Sequence, residues 1–269
     1  VAIATWVTDI LAVLLLFVYI VLAENSNGRK WKEGGWFDVS FQDSLRLLNL
    51  SARCCASTCL EWWCWEILIL LSGRLPNASQ AVGVIAIVLN FDFLLYSVML
   101  SLSICATTRV SNELGANRAA PAYQSAYVSL GISIFMGCMG GLSMIAIRNI
   151  WGRLFNHDSD LVNESRRMML LIAAVEVVNF PLAVCGGIVR GTAQPLLALY
   201  ANVGGFYLLA LPLAVLLAFQ RKMGLTGMLF GYLVGLASSL ALLATFVARI
   251  DWEGEADKAQ KLASIQERA

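Results

Sequence analysis

The sequence predicts an all-α protein that crosses a membrane as a polytopic bundle of about seven helices. Of its 269 residues, 59% are hydrophobic and only 14% are charged, and the mean hydropathy is +0.71. Soluble domains carry about 25% charged residues. A sliding window also finds seven segments near the roughly 20 apolar residues that span a bilayer. These segments are 1–23, 50–72, 81–107, 125–147, 168–189, 196–219 and 223–247.

The connections between the spans suggest how the chain is divided. The polar segment 24–46 is the longest internal connection and the best candidate for a boundary between two bundles. RVSNELGANRAAP is predicted to be the loop between the third and fourth spans, and the charged tail 249–269 a solvated helix. Lys and Arg residues favour one side of the membrane, which predicts a cytosolic C-terminus. The chain opens on Val1 without a basic n-region, so we expect no signal peptide and an incomplete chain.

The composition gives no support for a nucleic-acid-binding site or a metal site. The net charge of +1 gives no indication of nucleic-acid binding. The seven cysteines match no zinc-binding spacing and are expected to be buried free thiols, so no metal site is predicted. Small-residue ridges at Gly227, Gly231 and Gly235, and at Gly137 and Gly141, predict close helix packing.

The motif CLEWWCWE places Glu61 and Glu66 within a predicted span, where an ionised carboxylate is costly. Glu61 shares a helix face with Trp65, and Glu66 shares one with Trp62, while the two acids project about 140° apart. A carboxylate beside an indole suits an organic cation. A carboxyl group can also carry a proton, so proton uptake and cation release could compete there. The alternative is a pair of neutral acids hydrogen-bonded to neighbouring helices.

A second group of polar residues lies in the fifth span. Glu176 and Asn179 share a face, and Pro181 is predicted to kink the helix. Broken helices with polar groups at the midplane indicate a transporter binding site, although a kink that only shapes the bundle is the alternative. Asp92 in the third span is predicted either to line a cavity or to have a structural partner.

Four motifs in order resemble the plant branch of the multidrug and toxic compound extrusion (MATE) family. They are CLEWWCWEILILLSGRLPN, TRVSNELGAN, CGGIVRGTAQP and YANVGGFYLLALPLAVLLAF. The resemblance implies half of a fold of twelve helices in two lobes. Segment 1–23 would be the last helix of the N-terminal lobe, 24–49 the cytosolic inter-lobe linker, 50–248 the six-helix C-terminal lobe and 249–269 a cytosolic tail.

The resemblance also implies site residues. Glu61 and Glu66 match the paired acids that relatives use for substrate and proton binding. Asn179 stands where many plant relatives have an aspartate. Glu176 is the candidate replacement, unless coupling depends on Glu61 and Glu66 alone, and Asp92 matches no acid of the family. Arg109 and Glu113 of the RVSNELGA motif are expected to set a cytosolic turn.

These expectations describe a transporter, not an enzyme. It would export organic cations, xenobiotics or plant secondary metabolites across the plasma membrane or a vacuolar or endosomal membrane. The coupling ion would be H⁺, less favourably Na⁺, with no cofactor. Its partners would be the lipid bilayer and either the missing N-terminal lobe or a second chain. The alternatives are a truncated, non-transporting chain and a seven-span receptor, although the chain lacks DRY-like and NPxxY motifs.

Overall fold

The computed structural model describes residues 2–26 and 41–266, and every regular element in these ranges is helical. The chain divides into two units, Val1–Asn49 and Leu50–Ala269. The helices are α1 (Ala2–Ser26), α2 (Phe41–Ser72), α3 (Ala78–Gly115), α4 (Ala119–Phe155), α5 (Ser159–Gly191), α6 (Pro195–Asn202), α7 (Leu211–Val215), α8 (Gly224–Ala248) and α9 (Trp252–Gln266). Two π-helical segments, Val203–Ala210 and Leu216–Gln220, flank α7.

Six helical segments of the described chain are long and apolar enough to cross a membrane. They are Leu47–Ser72, Ala78–Gly115, Ala119–Phe155, Ser159–Gly191, Pro195–Gln220 and Gly224–Ala248. In α1 the apolar stretch Trp6–Leu22 is shorter. The all-α membrane fold predicted from the sequence is thus confirmed: six of the predicted spans are long apolar helices, and the first is a shorter apolar stretch.

Two predicted connections are partly helical. Helix α2 already begins at Phe41, inside the predicted linker 24–49, while residues 27–40 lie outside the described chain. Helix α3 runs to Gly115 and so includes most of the RVSNELGA motif. Its 38 residues extend about 57 Å at 1.5 Å per residue, well beyond a hydrocarbon layer of about 30 Å. The polar end of α3 therefore continues as a helix outside the membrane.

The RVSNELGA motif ends at the turn between α3 and α4, which Arg109 and Glu113 are expected to set. Glu113 forms its ion pair with Arg118, at 2.9 Å between Oε2 and Nε, and not with Arg109. Between them Asn117 adopts a left-handed backbone conformation with φ of 56°. Asparagine tolerates this conformation better than most residues. The pairing of Glu113 with Arg118 therefore spans the turn itself, whereas Arg109 lies a full turn earlier on α3.

Helix α5 is the central helix of the bundle in the second unit. Two thirds of its most apolar window is buried (67%), a larger share than in the other five long spans. It packs against α3, α4 and α8. A Cβ atom at Gly141 of α4 would stand 2.9 Å from the carbonyl oxygen of Ala173. The glycine therefore permits close approach of α4 and α5, as the small-residue ridge predicts.

Irregular helix lies in the span Pro195–Gln220. Helix α5 continues through the buried Pro181 to Gly191. The span Pro195–Gln220 instead passes through both π-helical segments, and Arg221 N–H donates to the Leu216 carbonyl five residues earlier. A Cβ at Gly231 or Gly235 of α8 would collide with Ala214 or Ala210 of this span. The predicted glycine ridge of α8 thus packs against the irregular span.

The tail forms helix α9, as predicted, but one face of it is packed. Asp251 Oδ1 accepts a hydrogen bond from Gly254 N–H at the start of the helix. The Trp252 ring meets Tyr123 of α4 edge to face, with ring centroids 6.1 Å apart, and Ala256 is buried. On the exposed face, the hydrogen bond from Lys258 to Glu255 raises the pKa of the Lys258 ammonium group. Helix α9 is therefore not simply a solvated helix.

Candidate functional site

Two small cavities border the middle of α2 in the second unit. The first, here called the acidic cavity, has a volume of about 70 Å³. It is lined by Glu61, Trp62, Trp65, Glu66, Ile69, Leu89, Asp92, Phe93, Tyr96 and Asn179. The second, here called the arginine cavity, has a volume of about 80 Å³ and includes Glu61, Trp62, Tyr96, Ser103, Gly186, Arg190 and Asn202. Each has room for several water molecules.

The acidic cavity contains most of the residues predicted for the site. Glu61 and Glu66 of α2, Asp92 of α3 and Asn179 of α5 all line it. Asp92 matches no acid of the family but lines the cavity, which is one of the two predicted possibilities. Three carboxyl groups from two helices thus border a single space.

Glu176 lies outside this lining. Its side chain is buried in the core of the second unit, with only 1% exposed. Pro181 lies farther along α5 and lines neither cavity. Of the polar group predicted on α5, only Asn179 reaches the acidic cavity directly.

Helix α2 turns its two acids to different environments. Glu61 is half-buried, on the side of α2 that also buries Cys64 and Leu68. Glu66 is exposed. The separation of about 140° predicted from helix geometry explains why one acid faces the bundle and the other its surface. Both nevertheless border the acidic cavity, because it opens along the side of α2 between them.

Aromatic side chains form much of the cavity wall. The Trp62 ring stacks on Phe93, with centroids 6.4 Å apart, and meets Tyr96 edge to face at 5.3 Å. Trp65 points deeper and contacts Tyr232 of α8, with centroids 4.5 Å apart. The two tryptophans predicted for the site therefore have different roles: Trp62 borders both cavities, and Trp65 joins α2 to the core.

Hydrogen bonds to its backbone hold α2 beside the irregular span. Asn202 Nδ2 donates to the Ser57 carbonyl at 3.0 Å, and the Tyr207 hydroxyl donates to the Leu60 carbonyl at 2.9 Å. These two bonds bracket the turn just before Glu61. They fix the position of Glu61 relative to the irregular span.

Arg190 is a cavity-lining residue that the sequence analysis missed, because the predicted fifth span ends at residue 189. It belongs to α5, and its Nη2 donates to Ser103 Oγ at 2.8 Å. Ser103 Oγ in turn donates to the Ala183 carbonyl at 2.7 Å. The guanidinium group also interacts electrostatically with Glu61. The charge of Arg190 directly after the apolar run of the fifth span was the available signal in the sequence.

Two buried polar atoms near α2 have no hydrogen-bond partner within the described residues. They are Asn179 Oδ1 and the Tyr232 hydroxyl oxygen. Buried polar atoms are nearly always hydrogen-bonded. Because Asn179 also lines the acidic cavity, its free acceptor is available to a molecule that enters the cavity.

A much larger cavity lies elsewhere in the described chain. It has a volume of about 700 Å³ and lies at an end of the bundle, near Pro76, Glu164 and Lys222. None of the residues predicted for the site lines it. Size alone therefore does not identify the site, whereas the converging carboxyl and aromatic groups do.

The cysteines differ in part from the prediction. All seven are free thiols, but only Cys64 and Cys185 are buried; Cys54 and Cys59 are half-buried, and Cys55, Cys105 and Cys138 are exposed. In the described ranges no group of three or more His, Cys, Asp or Glu side chains could hold a metal ion.

Comparison with known proteins identifies the family. The MatE family model matches residues 54–216. Protein DETOXIFICATION 56 of Arabidopsis thaliana is 57% identical over 263 residues, which are 97% of this chain and 54% of that protein. Protein DETOXIFICATION 51 of the same plant is 35% identical over 99% of this chain and 49% of its own length.

A solved structure shows the same fold. The crystal structure of the eukaryotic MATE transporter AtDTX14 superposes with a TM-score of 0.85 at 29% identity, over 93% of this chain and 55% of that protein. An outward-facing multidrug resistance MATE transporter aligns with a TM-score of 0.70 at 16% identity, which supports the fold alone. The chain spans about half the length of the relatives it matches. It belongs to the MatE family of multidrug and toxic compound extrusion transporters.

Proposed function

We propose that the protein of which this chain forms a part exports small organic cations in exchange for protons. The observation that carries this proposal is the acidic cavity, where Glu61, Glu66 and Asp92 converge beside Trp62, Phe93 and Tyr96. Carboxylates attract a cation by charge, and aromatic faces add cation–π attraction worth about 0.5–2 kcal/mol each. This combination favours a flat or alkylated cation over a neutral solute.

The charge balance around Glu61 supports cation binding. Three carboxyl groups line the acidic cavity, and Arg190 is the only positively charged side chain lining either small cavity. It is partly engaged by Ser103. Ionised carboxyl groups inside a membrane bundle are costly unless they are paired with an opposite charge. A cation bound beside Glu61 and Glu66 would reduce that cost.

Exchange for protons follows from the same groups. A carboxylate that binds a proton no longer attracts the cation, so proton binding on one side of the membrane favours release there. Loss of the proton on the other side restores binding. Movement of the site between the two sides requires the rest of the transporter, because alternating access moves one repeat against another. We therefore assign the substrate and the coupling ion to the longer assembly. That assembly contains either the missing lobe or a second chain.

The experiment uses the full-length native polypeptide in proteoliposomes with ethidium as the fluorescent cation. We expect Glu61→Gln to slow pH-gradient-driven ethidium transport by at least about tenfold, because the amide can neither titrate nor neutralise the cation. The measurement is the initial rate of uptake after a pH jump.

Glu164→Gln is the matched control. Glu164 lies beside the large cavity, with Arg167 at 3.7 Å as its ion-pair partner, and should transport at the wild-type rate. Equal rates for Glu61→Gln and the wild type would contradict a role for Glu61. No ethidium transport by the wild type in either direction would contradict cation export itself.

A further inference from the structure

The large cavity near Pro76, Glu164 and Lys222, here called the end cavity, lies at one end of the bundle of the second unit. Its volume is about 700 Å³, and it borders the start of α8 at Gly224. Pro76 and Lys222 in its lining are exposed, and Glu164 adds a carboxyl group. From there α8 continues for 25 residues, or about 37 Å, towards the opposite end. The end cavity is therefore a polar space that water enters from one end of the bundle.

A narrow apolar space, here called the constriction, lies between the end cavity and the acidic cavity. Leu225 lines both the end cavity and the constriction. Trp65 and Leu89 line both the constriction and the acidic cavity. The three spaces therefore form a series through the inside of the second unit, which begins at the exposed end of the bundle and finishes at the carboxyl groups of α2 and α3.

The constriction closes this series in the structure. Its volume is about 10 Å³, and all nine side chains that line it are apolar or aromatic. A buried water needs a space of about this size and also two to four polar partners. The lining side chains include no carboxyl, amide or hydroxyl group. Apolar constrictions in membrane proteins stop conduction by excluding water. This one therefore separates two polar spaces and is far too narrow for an organic cation.

Asn179 indicates that the inner end of the series accommodates water. Its side chain lines the acidic cavity and is only 9% exposed, yet Oδ1 has no hydrogen-bond donor among the described residues. Buried polar atoms are nearly always hydrogen-bonded, to ordered water where the protein offers no partner. The acidic cavity has a volume of about 70 Å³, so water that crossed the constriction would find both space and a free acceptor.

We propose that protons reach the acidic cavity through the inside of this unit, from the end cavity and across the constriction, by a route that the organic cation cannot enter. This inference rests on the proposed function, in which the acidic cavity binds the proton. A hydronium ion in the end cavity passes its proton along a short chain of water to a carboxylate of the acidic cavity, and the proton leaves by the reverse steps. Only O–H bonds form and break. The constriction limits the rate, because it must hold water for the chain to be continuous.

The test makes the constriction polar and measures proton movement alone. The full-length native polypeptide is reconstituted into vesicles that contain the pH-sensitive dye pyranine, with K⁺ and valinomycin to hold the membrane potential at zero and no ethidium. Leu225→Asn replaces leucine by an amide of similar size that can hydrogen-bond water in the constriction. We expect the protein-dependent rate of internal acidification after an acid jump to rise at least about fivefold over the wild type.

Leu236→Asn is the matched control. Leu236 lies on the same helix, is 0% exposed and lines none of the three spaces. Burying an amide there carries a similar cost in stability, but the proton flux should stay at the wild-type rate. Equal fluxes for Leu225→Asn and the wild type, or an equal rise in Leu225→Asn and Leu236→Asn, would overturn the proposal.

If Leu225→Asn does not fold, a milder pair of variants on α3 decides. Val88 lines the constriction and is 3% exposed, and Val88→Thr adds a hydroxyl group with almost no change of shape. Val110→Thr is its control, because Val110 is 0% exposed and lines none of the three spaces. We expect about twofold more proton flux for Val88→Thr than for Val110→Thr. Equal fluxes for these two variants would overturn the proposal.

A second flux keeps the proposed function separate from this route. Exchange of ethidium for ethidium at equal pH is measured in vesicles from the same preparation. Absence of exchange in the wild type would overturn cation binding and export, whatever the proton fluxes show. Exchange in the wild type together with unchanged proton flux in Leu225→Asn would leave cation export in place and overturn the internal proton route alone.

Discussion

The acidic and arginine cavities are nearly equal in volume and share Glu61, Trp62 and Tyr96, but their chemistry is opposite. The acidic cavity adds Glu66 and Asp92, whereas the arginine cavity adds Arg190 and Ser103. The difference follows from position along α5: Asn179 faces one cavity, and Arg190, three helical turns later, faces the other. Two cavities of similar size can thus favour different ligands, because the charges of a few side chains decide which ligand each one can bind.

The largest effect should come from overpacking the contact between α3 and α5 beside Ser103. A Cβ at Gly187 would stand 2.5 Å from the Ser103 carbonyl oxygen, so Gly187→Ala forces α3 and α5 apart. We expect destabilisation of roughly 1–3 kcal/mol from overpacking, with impaired transport. The melting temperature of the protein in detergent measures the loss of stability.

Gly131→Ala is the matched control for this substitution, because nothing lies within 4 Å of its added Cβ. It should melt at or slightly above the wild-type temperature, since alanine favours a helix over glycine by about 0.5–1 kcal/mol. Equal melting of Gly187→Ala and Gly131→Ala would show that α3 and α5 are not in close contact at this position.

A smaller effect should follow from removing the charge of Arg190. The guanidinium group repels a cation bound beside Glu61, so Arg190→Gln should lower KM for ethidium by up to about tenfold, equivalent to about 1.4 kcal/mol. The turnover rate should fall as well, because tighter binding slows release. Initial rates over a range of ethidium concentrations separate the two quantities.

Arg190→Lys keeps the positive charge and should leave KM near that of the wild type. A KM that rises in Arg190→Gln would mean that the arginine contributes to cation binding instead of opposing it. The contrast between the two cavities would then be wrong for this residue.

The smallest effect is expected for the aromatic wall that the cavities share. Trp62→Leu keeps an apolar side chain but removes the indole face, which should raise KM for ethidium by about fivefold, or about 1 kcal/mol of cation–π attraction. Trp63→Leu is the control, because Trp63 is 57% exposed and lines neither cavity. Equal KM values for the two variants would exclude a specific role of Trp62.

Local geometry explains what could be predicted from the sequence. The helical repeat alone separates Glu61 from Glu66, and glycine spacing alone predicts the packing of α8 and α4. The sequence analysis drew attention to Pro181, inside the continuous helix α5, but not to the π-helical segments in the span around Pro212. A proline removes one hydrogen bond, and whether a helix deforms depends on its neighbours.

Contacts between helices could not be predicted. The convergence of Asp92 with Glu61 and Asn179 on one cavity depends on how α2, α3 and α5 lie against one another, which no single segment encodes. Arg190 was misplaced for a related reason: hydropathy ends the fifth span before the charged residue, while the helix continues because Ser103 and Glu61 accommodate the guanidinium group. A charge at a predicted helix end can thus belong to an internal site.

Because Glu61 borders both cavities, their occupants are thermodynamically linked. Anything that neutralises Glu61 from the acidic side removes the counter-charge of Arg190 on the other side. Linkage is reciprocal, so an anion that engaged Arg190 would change cation affinity at Glu61 by the same factor by which the cation changes anion affinity. Because the two cavities share this carboxyl group, binding in one cavity changes the affinity of the other.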